Sequence, residues 1–369
     1  MTTGFKGKAS LIQRVLPNYR APFFNALGRA CRNNLGVFAG KPRPSEMIHP
    51  VDQLADAQLT HGRNLHLLRG KFYLCLQLGV LDWLEDWDPD SLIVEANPRY
   101  LRTPGAVRWM HDRDRPVIGW GLGAPSLTGP LAALREKQRM SFIQQFDALI
   151  TYSQTGAAEY AALGFPEERI TVAVNAVTPP PTHPMPTRSA RRTGQPARLL
   201  FVGRLQERKH LDNLLKACAR LPGDLQPDLV IVGDGPNRER LESLARTTYP
   251  RTTFTGALYG DALAEQFQSA DLFILPGTGG LAIQEAMSWG LPVIAAEADG
   301  TQADLVRPVN GWQIPPDDVA ALHTCLIQAL SQPDQLLEMG RESYRIVAEE
   351  VNLDRMVAAF VNTLNRSIR

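Results

Sequence analysis

Two cations follow one apolar segment of the sequence in a turn that begins with glycine. The segment LLFV is followed by Gly203 and Arg204, and Lys209 comes slightly later in the same turn. A glycine lets the chain turn closely against a ligand, a guanidinium binds an anion through two parallel donors, and an ammonium acts as a point charge. The pattern predicts a diphosphate site. The alternative is two solvated cations in a surface turn.

A second apolar segment, LFILP, leads into a glycine-rich loop and then a helical pattern. Free backbone N–H groups at a helix start attract a phosphate. Glu285 lies about one turn into this helix, where its carboxylate could accept hydrogen bonds from a ribose diol. Its apolar neighbours predict partial burial, and the alternative is an ordinary exposed helix glutamate. The predicted loop residues are Gly277, Thr278, Gly279, Gly280 and Leu281.

Turn residues after apolar segments in the first half of the chain could contact a sugar. Sugar rings stack on aromatic side chains and hydrogen-bond to amides. The alternative is ordinary turn chemistry with the tyrosines in the core. The candidates are Asn18, Tyr19 and Arg20 after SLIQRVL, Asn97 and Arg99 after SLIVEAN, and Trp120 in RPVIGWG.

Neither the acidic residues nor the cysteines are arranged like metal ligands. The acidic cluster between Asp82 and Asp90 precedes a predicted strand, at the end of a sheet opposite the expected ligand site, and Asp112 and Asp114 fit a solvated turn. The four cysteines show no CxxC spacing. We therefore expect no metal, no cofactor and reduced core thiols.

Short apolar segments alternate with helical patterns on both sides of a proline-rich stretch. Such buried strands separated by helices are typical of parallel sheets covered on both faces. The stretch from Val177 to Ala197 contains six prolines and three arginines and has no helical or strand period. We therefore predict two α/β Rossmann-like domains facing a central cleft: residues 1–177, a linker at 178–197, and residues 198–369. The last helix is a candidate for crossing back to the first domain.

Composition limits the class of partner. The chain has 369 residues, 44% of them hydrophobic, with 39 Lys and Arg against 38 Asp and Glu, a net charge of +1. This length suits two domains, and the near-zero charge disfavours nucleic acid as a partner. No signal peptide or apolar membrane span is expected, which predicts a cytoplasmic protein.

The charge is unevenly distributed along the chain. The first 50 residues carry eight basic side chains and only one acidic residue, Glu46. A basic N-terminal region could rest on anionic lipid headgroups at the inner face of the cytoplasmic membrane, and the stretch from Leu78 to Trp87 could add an amphipathic contact. The alternative is a solvated helix face. Because no heptad seam is present, we expect a monomer.

Several segments of the second half together resemble the nucleotide-sugar-binding domain of glycosyltransferase family 4, the retaining enzymes of GT-B fold. They are FVGRLQERKHLDNLLKA, LVIVGDGP, FTGALYGDALAEQFQSADLFILPG and LAIQEAMSWGLPVIAA. The first half is similar to members that make bacterial surface polysaccharides, more loosely. The resemblance implies that Arg204 and Lys209 hold the donor diphosphate, that the glycine loop supplies N–H groups, that Glu285 binds the ribose, and that Gly256 and Leu258 flank the base.

Two positions depart from that family. Gly277 stands where members typically have a glutamate that touches the donor sugar, and Leu122 lies near the place of a histidine on the acceptor side. These changes leave donor identity and the level of activity open.

The expected function is retaining, metal-independent transfer of a sugar from a nucleoside-diphosphate sugar to a glycan or glycolipid acceptor, as in polysaccharide or lipopolysaccharide biosynthesis. The donor would be a co-substrate, not a cofactor. The alternative is a non-catalytic relative that binds a nucleotide or glycan as a scaffold or regulator, and an epimerase or phosphorylase fits less well. The base, the sugar, the acceptor and the linkage cannot be read from the sequence.

Overall fold

The structure is a computed structural model that describes residues 4–46, 48–188, 195–298 and 300–368. The chain forms two compact units, each with one central sheet. The first unit contains the described residues up to Val177 and those from Leu353 onward, and the second runs from Thr178 to Asn352.

The first unit is an eight-stranded sheet covered by helices on both faces, in the order β4-β3-β2-β1-β5-β6-β7-β8. Its central strands are mostly buried and mostly apolar, as expected for parallel strands between helical layers. The elements are β1 Ala9–Val15, α1 Ala21–Ala30, β2 Leu35–Gly40, β3 Gln58–Leu67, β4 Leu74–Leu78, α2 Val80–Trp87, β5 Ser91–Glu95, α3 Thr103–His111, β6 Val117–Gly121, α4 Ala132–Ile143, β7 Ala148–Thr151, α5 Gln154–Ala162 and β8 Ile170–Val172.

The second unit is a six-stranded parallel sheet in the order β11-β10-β9-β12-β13-β14. The chain order reverses between β9 and β12, which places a crevice beyond the carboxyl ends of these two strands. The elements are β9 Arg198–Val202, α6 Leu211–Ala219, β10 Asp228–Val232, α7 Arg238–Thr248, β11 Thr252–Gly256, α8 Gly260–Ser269, β12 Leu272–Leu275, α9 Leu281–Ser288, β13 Val293–Ala296, α10 Thr301–Leu305, β14 Gly311–Ile314, α11 Val319–Leu330 and α12 Pro333–Glu349.

The last helix, α13 Leu353–Ser367, belongs to the first unit. Phe360 on α13 packs edge-on against Phe23 of α1 and Trp120 of β6, with ring centroids 4.9 Å apart in both pairs. Aromatic pairs of this geometry are favourable beyond their buried area. The final residues of the chain thus complete the core of the unit that begins it.

The predicted class, two doubly wound parallel-sheet α/β units, is confirmed, but the first sheet is not wholly parallel. Strands β3 and β4 pair antiparallel, with Arg63 opposite Leu78 and Leu67 opposite Leu74. Strands β3, β4 and β14 have no continuous run of buried residues. All three lie at or near sheet edges, where half-exposed strands lose the continuous apolar signal.

The proline-rich stretch packs on the second unit where the structure describes it. The Arg188 guanidinium donates to the carbonyls of Ala270, Phe267 and Trp289, the last two at 2.8 Å and 3.1 Å. The ring of His183 stacks on Trp289 at 4.0 Å between centroids. Residues 189–194 of the predicted linker lie outside the described residues.

Candidate active site

The loops after β9, β10 and β11 are joined by backbone hydrogen bonds at the carboxyl edge of the second sheet. Gly203 N donates to Val232 O at 3.0 Å, and Gly233 N donates to Gly256 O at 2.8 Å. Gly233 has φ +139°, and a Cβ there would lie 2.0 Å from Gly203 O. Only glycine allows this approach, so the GDGP segment holds the Gly203 turn in place.

These loops enclose a cavity of about 720 Å³ within the second unit. Four predicted donor residues line it: Gly203, Arg204, Leu258 and Glu285. Gly256 lies at the end of β11, directly before the lining residue Ala257. The volume is within the range of small-molecule sites, and the wall combines a guanidinium, a carboxyl and aliphatic side chains. The predicted strand-end residues are therefore brought together.

Glu285 lies on the first turns of α9 and is half-buried, as the sequence predicted. Burial raises the pKa of its carboxyl. A buried carboxyl is costly without partners, and a pair of ligand hydroxyls would supply them. Its position at the cavity wall makes Glu285 the candidate for contacting a diol.

Lys209 is placed differently from the sequence expectation, which had its ammonium facing a diphosphate. The side chain is only 8% exposed and does not line the cavity. Its Nζ donates to the carbonyl of Thr278 at 2.6 Å, so the glycine-rich loop covers it. Burial, with the Arg208 charge as a smaller cause, lowers the pKa of Lys209 to about 8. The ammonium thus lies beneath the loop, between the carboxyl ends of β9 and β12.

The glycine-rich loop is fixed by its neighbours. Thr278 N donates to Arg208 O at 3.0 Å, and Arg208 Nη1 donates to Thr278 Oγ1 at 2.8 Å. Gln302 Nε2 donates to Gly279 O at 2.8 Å. The predicted loop residues Gly277, Thr278, Gly279, Gly280 and Leu281 form the entry to α9 but are not among the residues that line the cavity.

Gly277 fills a position where a side chain does not fit. A Cβ there would lie 2.3 Å from Arg208 O and 2.7 Å from the Lys209 Cα. These are backbone atoms, so a side-chain rotation cannot relieve the contact. The glutamate expected from the family resemblance would therefore require the two loops to move apart.

The first unit has its own cavity, of about 440 Å³, beyond β5 and β6. It brings together Asn97, Arg99 and Trp120 of the acceptor candidates, with Leu122 at its wall. Asn18 and Tyr19 are exposed and do not line it. The Arg20 guanidinium stacks on the rings of Trp120 and Tyr152, at 5.8 Å and 5.5 Å from their centroids.

Trp120 is a poor candidate for direct contact with a sugar. Its side chain is 2% exposed and packs between Phe23, Phe360 and Tyr152. An indole that is almost completely buried packs behind the cavity wall and offers almost no surface to a ligand. The sequence could not show this because Phe23 and Phe360, which cover the ring, lie far from Trp120 in the chain.

Sequence reasoning missed several residues at the two cavities. Tyr259 lines the second-unit cavity and is 81% exposed. The Arg208 guanidinium donates a hydrogen bond to Thr278 Oγ1 in the glycine-rich loop. Glu95 and Arg139 line the first-unit cavity. The position of Glu95 directly after a buried apolar run was the available signal.

Two of the basic residues near the N-terminus are engaged within the first unit. Arg14 Nη1 pairs with Glu46 at 3.0 Å in a largely buried contact, and Arg20 is directed towards aromatic rings. Burial alone would raise the pKa of Glu46, but hydrogen bonds from Arg14 and Arg43 lower it to about 2. Helix α2 buries Val80, Trp83 and Leu84 on the sheet, which confirms the predicted amphipathic helix.

Within the described ranges, no group of three or more His, Cys, Asp or Glu side chains is arranged to hold a metal ion. No helix in the described part of the chain is long and apolar enough to cross a membrane. The four cysteines are buried as free thiols.

Comparison with solved structures identifies the architecture as a GT-B fold. The lipopolysaccharide outer core galactosyltransferase WaaB, in its apo form, matches 97% of this chain and 99% of its own with a TM-score of 0.70 and 17% identity. Anabaena HepE in complex with UDP matches with a TM-score of 0.71 and 16% identity, over 97% of this chain and 99% of its own. The predicted GT-B fold is thereby confirmed.

Residues 187–346 match the family model described as glycosyl transferases group 1. A GDP-mannose-dependent alpha-mannosyltransferase of Mycolicibacterium smegmatis is 48% identical over 111 residues, which are 29% of this chain and 27% of that protein. A D-inositol 3-phosphate glycosyltransferase of Gordonia bronchialis is 27% identical over 301 residues, 72% of this chain and 64% of that protein. The chain therefore covers about a quarter of the first relative and just under two thirds of the second.

Proposed function

We propose that the protein is a glycosyltransferase that moves a sugar from a nucleoside-diphosphate sugar to a glycan or glycolipid acceptor. The observation that carries this proposal is the cavity of the second unit, which joins Gly203, Arg204, Leu258 and Glu285 at the carboxyl ends of three strands. A guanidinium suits a diphosphate and a half-buried carboxyl suits a ribose diol. The group 1 domain match and the glycosyltransferase names of the relatives support the same class.

The proposed reaction retains the anomeric configuration and needs no metal. As the bond between the sugar and the diphosphate breaks, negative charge develops on the leaving group. Arg204 lies at the cavity wall, and Lys209 lies beneath the loop at the same sheet edge. Fixed positive charge aimed at a leaving group stabilises the transition state, and losing one such donor typically costs about 100-fold to 1000-fold in rate.

A non-catalytic role as a nucleotide-binding or glycan-binding scaffold is the second candidate. The packing around Gly277 favours it, because the glutamate that the family resemblance places next to the donor sugar is replaced by a glycine whose Cβ would lie 2.3 Å from Arg208 O. Hydrolysis of a nucleotide-sugar donor by the purified protein, or sugar transfer to an acceptor, would support the transferase. Nucleotide or glycan binding without either reaction would support the scaffold.

Thermal unfolding in the presence of UDP, GDP, ADP and CMP tests the donor site. At about 100 times its dissociation constant, a nucleotide that binds the native state adds about 2.7 kcal/mol of stability. We expect one diphosphate to raise the melting temperature and CMP to serve as a monophosphate control. The donor-site proposal is wrong if none of the four changes the melting temperature.

We also propose that the tip of the β3–β4 hairpin, residues 67–72, contacts an anionic membrane surface. Leu67, Leu68 and Phe72 are 42%, 64% and 66% exposed, although large apolar side chains are usually covered. Exposed Lys41, Arg63 and Arg69 lie along the same hairpin and its neighbouring strand end. Apolar side chains beside cations complement a bilayer of acidic lipid.

Replacing both Leu68 and Phe72 by serine should abolish this contact. Each side chain contributes about 1.5–3 kcal/mol when fully buried in an apolar phase, so co-sedimentation with phosphatidylglycerol vesicles should fall by at least about tenfold. The control is Val309→Ser, an apolar residue of the second unit that is 52% exposed. Equal sedimentation of the double variant and the wild type, or none by the wild type, would contradict the proposal.

A further inference from the structure

Glu95 ends strand β5 at the point where the chain order of the first sheet reverses. Strand β5 pairs with β1, which pairs on its other side with β2. In doubly wound sheets such a reversal leaves a crevice beyond the strand ends, where ligands bind. Glu95 is thus the residue of a central strand that reaches this crevice.

The Glu95 carboxylate accepts one hydrogen bond from the described part of the protein. Arg14 N donates to Glu95 Oε2 at 2.6 Å. The Arg14 guanidinium is directed elsewhere, to Glu46 at 3.0 Å. Among the described residues, Glu95 makes no ion pair, and its second oxygen receives no hydrogen bond. The side chain is half-buried and this oxygen is not among the buried unpartnered atoms, so it is accessible and can accept a hydrogen bond from a ligand hydroxyl.

The cavity of the first unit gives a ligand access to this oxygen. Glu95 lines it together with Asn97, Tyr152 and the Gly121–Gly123 segment. That segment is fixed, because a Cβ at Gly121 would lie 2.3 Å from Tyr160 Oη and one at Gly123 would lie 2.8 Å from Gly156 Cα. The space in front of Glu95 is therefore a formed cavity with a rigid wall.

The charge of Glu95 changes near neutral pH. Burial raises its pKa to about 7, against the opposing effect of Arg14 and Arg20. Burial also raises the pKa of Tyr100, Tyr152 and Cys75, so these groups stay neutral there, and arginines stay charged. The other charged or titratable groups around the cavity are Arg99, Arg139 and Tyr160. Between about pH 6 and pH 8, Glu95 is the member of this set that titrates.

The geometry points to Glu95 as the residue that accepts a hydrogen bond from a hydroxyl of the acceptor, a neutral sugar or cyclitol ring held in the first-unit cavity. A carboxylate repels a phosphate and needs a donor, which a ring hydroxyl provides. Asn97 offers further hydrogen bonds at the same wall. This inference rests on the proposed transferase function, for which it names the acceptor contact.

Ligand-observed NMR by saturation transfer on the full chain tests it without any nucleotide. The probes are the methyl α-glycosides of mannose, glucose and galactose, and myo-inositol. The variants are Glu95→Gln and the matched control Glu167→Gln, an exposed glutamate of the same unit. We expect at least one probe to bind the wild type and the control alike at pH 8, and to bind Glu95→Gln at least about tenfold more weakly.

The pH dependence separates a binding role from a structural one. Affinity of the wild type for the same probe should fall as the pH is lowered from about 8 to about 6, because protonation removes the charge that attracts the hydroxyl. Glu95→Gln should show no such change. If the Glu95→Gln variant does not fold, the dependence of wild-type probe affinity on pH still tests the binding role.

Binding of no probe to the wild type, equal affinity in Glu95→Gln, or a flat wild-type profile would overturn the inference. The probe experiment and the nucleotide experiment can fail separately. If a nucleotide stabilises the protein but no probe binds, the role of Glu95 is rejected and the transferase proposal stands. If a probe binds through Glu95 but no nucleotide has an effect, the transferase proposal is rejected and the binding role of Glu95 stands.

Discussion

Gly277→Glu, which introduces the glutamate typical of family 4, should destabilise the second unit. The new Cβ would meet Arg208 O at 2.3 Å and Lys209 Cα at 2.7 Å, so the two loops must separate. Overpacking of this kind costs about 1–3 kcal/mol. In a unit of this size the melting temperature should fall by roughly 2–12 °C. Differential scanning calorimetry measures the change.

Separation of the loops should also disturb the donor site. Thr278 N would lose Arg208 O, and Lys209 Nζ would lose Thr278 O. We expect Gly277→Ala to lower the melting temperature too, because the clash begins at Cβ. Gly223→Ala is the control, since a Cβ at Gly223 meets nothing within 4 Å. A Gly277→Glu variant with the wild-type melting temperature would show that the loops separate freely.

Lys209→Met should weaken binding of a nucleoside diphosphate by about 10-fold to 100-fold without destabilising the protein at pH 7. The ammonium does not line the cavity, so it acts through its charge beneath the glycine-rich loop and through its hydrogen bond to Thr278 O. Each tenfold loss of affinity corresponds to about 1.4 kcal/mol. The folded protein lowers the pKa of Lys209 from 10.5 to about 8. The buried charge therefore opposes folding, and a neutral side chain of similar length removes that cost. Isothermal titration calorimetry and thermal unfolding measure the two effects.

The sign of the pH dependence follows from the same shift. Below about pH 8 Lys209 is protonated in both the folded and the unfolded chain. Between about pH 8 and 10.5 the unfolded chain binds the extra proton, so this group makes stability rise with pH. Nucleotide affinity should change in the opposite direction, falling from pH 7 to pH 9 as the ammonium loses its proton.

The control for Lys209 is Lys216→Met, which removes an exposed cation paired with Asp212. It should leave nucleotide affinity and its pH dependence unchanged. Equal affinity of Lys209→Met and the wild type at pH 7 would show that the covered ammonium has no part in holding the donor.

Four of the proposed donor-site positions could be predicted because they come after buried strands of one sheet. In a doubly wound sheet, the residues after parallel strands meet at one edge whatever the details of packing. Gly203, Arg204, Leu258 and Glu285 meet there for this reason. The partial burial of Glu285 also followed from its apolar neighbours on the helix.

The remaining features depend on contacts between residues distant in sequence. The coverage of Lys209 by Thr278, the exclusion of a side chain at Gly277 and the unmatched oxygen of Glu95 each arise where two loops or strands approach. Local composition carries no information about such an approach. The burial of Trp120 by α1 and α13 is a further case, since α13 is the last helix of the chain.

The sequence by itself determined three features: the two α/β units, the strand ends that carry the proposed donor residues, and a net charge close to zero. Periodicity and turn chemistry act over a few residues, and these features need no more than that. Only the tertiary structure decided which charges are covered, which glycines are enclosed and which carboxyl faces a cavity. Burial and close approach depend on the whole packed unit, and they set the pKa of Lys209 and Glu95.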